Sequence, residues 1–265
     1  MEVIRLTPAT PVRAVLLDFD GTISTLRYGW EEVMEPLMLE LIAGESAIDD
    51  ELRCLVKEYI DESTGIQTIF QMKWLVETVK RYGRNSKPQD DPWVYKAEYN
   101  RRLMERVEHR KMELLTGEKS PEDFMVAGSV PFLEALHTRG VALYVASGTD
   151  DCDVKKEVAA LGLTSYFETV AGAPEGVENC SKEMVMRKLI SKQSGSELCV
   201  VGDGKVEIAL GRESGARTLG IASDEAVGHG ISSQKHRRLS KAGADAIVGD
   251  FLELEQILRF MGWCE

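Results

Sequence analysis

The feature that most constrains this chain is a set of short, continuously apolar runs with helical patterns between them. The runs are "VRAVLLDF" at 12–19, "VALYVAS" at 141–147, "ELCVVGD" at 197–203, "ARTLGIAS" at 216–223 and "DAIVGDF" at 245–251. A run this short, apolar without alternation, predicts a strand buried on both faces, which is the habit of parallel sheets. The intervening patterns are "VPFLEALHTRG", "DDCDVKKEVAALGL", "SKEMVMRKLISKQSG", "EIALGRESG" and "LELEQILRFMG". Gly140, Gly162, Gly195 and Gly215 follow helical patterns closely and are expected to cap their C-terminal ends. Strand and helix alternate from about residue 129 to the end, which predicts an α/β fold with a doubly wound, mostly parallel sheet.

Residues 24–126 carry a different pattern, helix after helix: "WEEVMEPLMLELIAG", "DDELRCLVKEYIDES", "GIQTIFQMKWLVETVKRYG" and "WVYKAEYNRRLMERVEHRKMELLTG", with "RNSKPQDDP" breaking the third from the fourth. The expected organisation is an α/β core of residues 1–23 and 127–265 with an all-helical insert at 24–126 after the first strand. An insert there is expected over the carboxyl ends of the strands, where open α/β sheets bind their ligands.

The 265 residues suffice for one large domain or two modest ones. A formal charge of -12 argues against a broad nucleic-acid footprint and against an anionic membrane surface as partner. An anionic substrate remains compatible, provided local donors or a divalent cation reverse the field at the site. Five cysteines without CxxC spacing argue against a disulfide framework or a zinc knuckle and fit a reducing, cytoplasmic compartment. The N-terminus has no signal-peptide h-region, and no apolar run reaches eighteen residues.

Four strand ends carry candidate chemistry. The first ends in Asp18-Phe19-Asp20-Gly21-Thr22. Positions two apart on an extended chain point to one side, so two carboxylates meet at a strand tip and need a cation, a proton or strong hydrogen bonds. Metal ligand, nucleophile and general acid/base all fit them, as does a solvated DG turn. The second ends in Ser147-Gly148-Thr149-Asp150, which fits a phosphate cradle or a helix N-cap. Lys182 opens a helix, where the dipole disfavours it, so it either neutralises an anion or is a solvated surface lysine. The last is "GDGKVE" at 202–207, where Gly202 and Gly204 flank Asp203, a hard oxygen ligand of the kind magnesium prefers.

Together these motifs resemble the haloacid dehalogenase superfamily of phosphohydrolases. "DFDGT" at 18–22 matches its first motif, "SGT" at 147–149 its second, Lys182 its third and "GDGKVE" its fourth, and the helical insert matches its C1 cap in position and size. The resemblance implies that Asp18 is the nucleophile that becomes an aspartyl phosphate. It implies that Asp20 protonates the leaving oxygen and then activates water. Magnesium would be held by Asp18, the Asp20 carbonyl and Asp203, and the phosphoryl group by Ser147, the Gly148 N–H and Lys182. The dehalogenases of the family lack the second aspartate, so Asp20 favours phosphate-ester hydrolysis. Glu207 stands where many members have aspartate; one methylene longer, it is placed behind the direct ligands, through water or on Lys182.

Thr22, Thr149 and Thr64 are further candidates for substrate contact, and Arg27 and Trp30 for substrate contact or hinge packing, with core packing at the first helix of the insert favoured for Trp30. Ser63 or Thr64 equally fits a helix N-cap. The basic stretch "QKHRR" at 234–238 is taken as a solvated face. The function expected is a magnesium-dependent phosphatase of a small phosphorylated metabolite, of the phosphoglycolate or sugar-phosphate class. The alternatives are a phosphomutase resembling β-phosphoglucomutase and a non-catalytic binding module.

Overall fold

A computed structural model of the chain describes residues 1–5, 10–174, 182–191 and 195–263, with only the backbone of Lys182 and Val185. Ser181 lies outside the described residues. The strands are β1 (Glu2–Val3), β2 (Ala14–Leu17), β3 (Ala142–Asp150), β4 (Thr169–Ala173), β5 (Leu198–Gly202), β6 (Arg217–Ile221) and β7 (Ala246–Val248). They form one sheet in the order β1-β7-β6-β5-β2-β3-β4. Every neighbouring pair is parallel except β1 with β7.

The helices of the sheet unit are arranged by the alternation of side chains along each strand. To follow them in chain order, the helices are α1 (Glu31–Ala43), α2 (Asp50–Ser63), α3 (Thr68–Tyr82), α4 (Pro92–Thr116), α5 (Ser129–Thr138), α6 (Asp151–Ala160), α7 (Lys182–Ile190), α8 (Lys205–Glu213), α9 (Ser233–Ala242) and α10 (Leu254–Phe260). Val15 and Leu17 of β2, with Cys199 and Val201 of β5, pack with Phe132 of α5, Val158 of α6 and Ile257 of α10. Ala14 and Leu16, with Leu198 and Val200, turn to the other face and meet Met186 of α7 and Leu210 of α8. Both faces are therefore covered, which explains runs with no polar alternation. Full burial of a side chain such as Leu16 or Leu17 contributes about 1.5–3 kcal/mol.

Strand β2 lies between β3 and β5, with Leu17 paired to Val145 on one side and to Val201 on the other. The residues that follow β2 and β5, and the last residues of β3, consequently emerge at one carboxyl edge of the sheet. That edge gathers the candidate residues of three of the motifs.

The glycine caps are largely as expected. Gly140, Gly162 and Gly215 have positive φ and follow α5, α6 and α8. After α5, Gly140 N–H bonds His137 O and Val141 N–H bonds Leu136 O, a pairing that satisfies two terminal carbonyls. Gly195 is different: it has no positive φ and opens a short 3-10 turn before β5. Two strands escaped the pattern. Strand β4, "TVAGA", is short, interrupted by glycine and half-exposed at the sheet edge, and β1 has two residues. Strand β3 also runs past the expected turn at Ser147, because Asp150 pairs Ala173 after a register shift beyond Ala146.

The chain divides into two compact units, Met1–Tyr28 with Glu113–Glu265, and Gly29–Met112. The expected insert bounds of 24–126 were too wide. Ser24 bridges Met125, Thr25 N–H bonds Phe124 O, and Val126 N–H bonds Ile23 O, which ties both flanks to the sheet unit. The helical unit has its own core, with Met34, Leu37, Leu52, Leu75 and Leu103 at its centre and Tyr59 stacked on Trp74 at 3.7 Å. Trp30 packs against that core, as expected. Among the described residues no helix is long and apolar enough to cross a membrane.

Candidate active site

The site begins where β2 stops. Asp18 N–H donates to Val201 O at 2.9 Å, which extends the β2–β5 ladder by one residue and sets Asp18 beside Gly202. The chain then folds into a tight turn. Ile23 and Ser24 N–H groups both reach Phe19 O at 2.9 Å, and Gly21 N–H bonds Ser24 O at 2.8 Å. Gly21 has φ +73, and a Cβ there would lie 2.6 Å from Asp203 Oδ2. Only glycine fits both the backbone and the space.

Asp20 is fixed from β3. Its Oδ2 accepts hydrogen bonds from Ser147 Oγ at 3.0 Å and Thr149 Oγ1 at 2.9 Å. Its buried Oδ1 accepts none among the described residues, although Arg27 Nε lies 3.8 Å away. The Ser147-Gly148-Thr149 stretch thus touches the first motif across the sheet edge, in the irregular end of β3 rather than in a free turn. Asp150, the residue before α6, makes no side-chain cap bond, so helix capping does not account for the motif.

Arg27 is held away from a simple substrate role. Its Nη2 donates to Glu157 Oε1 at 2.6 Å and its Nε lies 3.1 Å from Oε2. Glu157, on α6, is almost wholly buried, and Asp153 lies 3.8 Å from the guanidinium. Burial raises the Glu157 carboxyl to about 7; Arg27 opposes the shift, and Asp20 and Asp153 add to it.

Asp203 follows β5 on the other side of Asp18. It is 7% exposed, and Gly21 of the neighbouring turn lies against it. Glu207, on the first turn of α8, is fully buried and folds back over Gly202 and Gly204, where added Cβ atoms would strike its side chain. Lys182 opens α7, but its side chain lies outside the described residues.

Two of the expected contacts, Thr22 and Thr64, are buried. Thr22 is fully buried and its hydroxyl makes no hydrogen bond among the described residues, so it belongs to the interior of the turn. Thr64 lies in the helical unit, at the C-terminal end of α2, and donates to Ile60 O at 2.9 Å. Neither Ser63 nor Thr64 caps a helix N-terminus; Gln67 precedes α3.

The basic stretch 234–238 is the larger correction. Lys235 and Arg238 turn inward, one helical turn apart on α9, with side chains 12% and 11% exposed. Lys235 Nζ lies 2.8 Å from Asp203 Oδ2 and 2.6 Å from Glu225 Oε1, and Arg238 Nη2 donates to Asp203 O at 3.2 Å. Burial opposes the ammonium charge, but Asp203 and Glu225 outweigh it and hold Lys235 above the ordinary lysine range. The sequence signal was available: a lysine in the first turn of a helix, against the dipole, as at Lys182.

The donors expected for a metal are hard oxygens: the Asp18 and Asp203 carboxylates and the backbone after Asp18. Among the described residues no three His, Cys, Asp or Glu side chains gather as a metal cluster. Magnesium suits such a site, because it takes one or two carboxylates and keeps several waters. Cys199 is no rival centre, since burial pushes its thiol up to about 12.

The sequence pattern of the haloacid dehalogenase-like hydrolases matches residues 12–215. No curated protein matches the chain. Several solved structures share its fold. A predicted phosphatase from Clostridium acetobutylicum aligns with TM-score 0.62 at 16% identity, over 94% of this chain and 99% of that one. A β-phosphoglucomutase from Clostridium difficile gives TM-score 0.63 at 14% identity, over 94% and 97%. A putative haloacid dehalogenase hydrolase from Bacillus subtilis, bound to magnesium, gives 0.56 at 14%, over 94% and 99%.

Proposed function

The chain belongs to the haloacid dehalogenase-like hydrolase family, and we propose on that premise that it is a magnesium-dependent phosphatase of a small phosphorylated metabolite. The substrate class is phosphoglycolate or a sugar phosphate. The observation that carries the reading is the pair of aspartates at the tip of the central strand, one of them oriented by two hydroxyls from the next strand.

Asp18 attacks phosphorus with a carboxylate oxygen, the ester oxygen leaves, and an aspartyl phosphate remains on Asp18. Asp20 gives its proton to the departing alkoxide and then takes one from the water that opens the acyl phosphate. The hydrogen bonds support an assignment of the two oxygens. Oδ2 already accepts from Ser147 and Thr149, so Oδ1 is the oxygen left for proton transfer. Ser147, the Gly148 N–H and Lys182 are assigned to the transferring phosphoryl group. Magnesium, held by Asp18, the Asp20 carbonyl and Asp203, would neutralise charge between an anionic nucleophile and an anionic substrate. Glu207 stands behind these ligands.

An acidic chain whose five cysteines show no CxxC spacing suits a cytoplasmic enzyme of small metabolites, with neither nucleic acid nor membrane as partner. The test is steady-state release of phosphate from a panel of phosphate esters, with and without magnesium. Magnesium-dependent turnover of one ester class is expected. Phosphate moved to a second hydroxyl of the substrate would make the protein a mutase, and ligand binding without turnover on any ester would refute the enzyme reading.

A further inference from the structure

Lys235 has no part in the four motifs, yet it reaches the same strand end. Its Nζ sits among four oxygens from three other segments: Glu225 Oε1 at 2.6 Å, Asp203 Oδ2 at 2.8 Å, Ser223 Oγ at 3.2 Å and Gly21 O at 3.4 Å. Ser223 in turn donates to Gly21 O at 2.7 Å, so the cage is tied to the turn after β2. Arg238 adds a second positive charge, 3.9 Å from Asp203 Oδ2. An ammonium in a cage of oxygens, two of them carboxylate, occupies the kind of environment that a small cation takes.

We propose that Lys235 is a tethered counter-ion that competes with magnesium for Asp203 and thereby weakens the affinity of the site for the metal. This rests on the magnesium reading above. The argument is one of charge and distance. A fixed positive charge within 3 Å of one carboxylate oxygen repels a divalent cation on the other, and burial leaves little solvent to screen it. The same ammonium offsets the repulsion between Asp203 and Glu225 while no metal is bound. Glu225 draws Lys235 away from Asp203, so it acts in the opposite sense: it shares the ammonium and lessens the competition.

The inference is tested by calorimetric titration of the full chain with magnesium chloride, without substrate. Lys235→Met is expected to bind magnesium at least ten-fold more tightly than the wild type. Glu225→Gln, which removes the carboxylate that shares Lys235 with Asp203, is expected to bind it several-fold more weakly. Lys235→Arg keeps the charge and is expected to stay close to the wild type. If Lys235→Met fails to fold, the double variant Lys235→Met with Glu225→Gln replaces it, and tighter binding than in Glu225→Gln alone is expected. Equal or weaker magnesium binding on removal of the lysine overturns the inference while the magnesium reading stands. No magnesium heat in any variant, or unchanged heat in Asp203→Asn, overturns the magnesium reading and this inference with it.

Discussion

At the residue scale, Asp18 and Asp20 are adjacent in motif but different in surroundings. Asp18 continues a strand ladder beside a glycine, while Asp20 is gripped through one oxygen by two hydroxyls. Replacing Asp18 by Asn leaves the side chain's shape nearly intact but removes the proposed nucleophile. Turnover should fall by on the order of 10⁴-fold or more, with the circular dichroism spectrum unchanged. Wild-type turnover in that variant would refute the assignment. Glu157 offers a test by pH. Its carboxyl is raised from 4.5 to about 7 by burial, so the folded state holds this proton more tightly than the unfolded state. Stability from this group is present below pH 4.5 and is lost as pH rises to about 7, by roughly 3 kcal/mol in all. Glu157→Gln should flatten the fall of Tm over that window, and an unchanged slope would refute this origin. Asp18, Asp20, Ser147 and Asp203 were legible in the sequence because each sits at the end of an apolar run. The Arg27–Glu157 pair was not, because its partners lie on different elements and neither belongs to a motif.

At the scale of elements, legibility followed burial. Strands β2, β5 and β7 are buried along their whole length and show as unbroken apolar runs, while β6 is equally buried but opens on Arg217 and Thr218. Strand β4, at the edge, has no such run to show. Helix α9 misled for a related reason. A helix whose charged side chains point inward to carboxylates has the same composition as one that points them to water; only the positions of Asp203 and Glu225 distinguish the two. The turn after β2 supplies the prediction at this scale. Gly21→Ala forces a Cβ into a left-handed backbone and against Asp203 Oδ2. The backbone alone should cost about 1–2 kcal/mol, read by urea unfolding, and displacement of Asp203 should lower phosphatase activity as well. Wild-type stability in that variant would show that the turn tolerates a side chain.

At the scale of the whole molecule, the two units keep separate cores. Residues 29–112 bury Leu37, Leu52, Leu75 and Leu103 among their own helices. This segment, expressed alone, is expected to be helical by circular dichroism and to melt cooperatively; a gradual, featureless melt would show that it depends on the rest of the chain. The position of this unit within the chain also bears on how the protein is made. Strand β2 is central in the sheet, yet its pairing partners begin at Ala142 and Leu198. The ribosome therefore delivers the central strand well before either of its neighbours, with a whole helical unit synthesised between β2 and β3. The loops that must close are long, and their entropy is recovered only when β5 arrives, so sheet assembly belongs to the slow end of folding rates. Until β3 is made "AVLL" is a bare apolar strand with both edges open to misdirected pairing and to chaperones, and the edge that β5 will cover stays open longer.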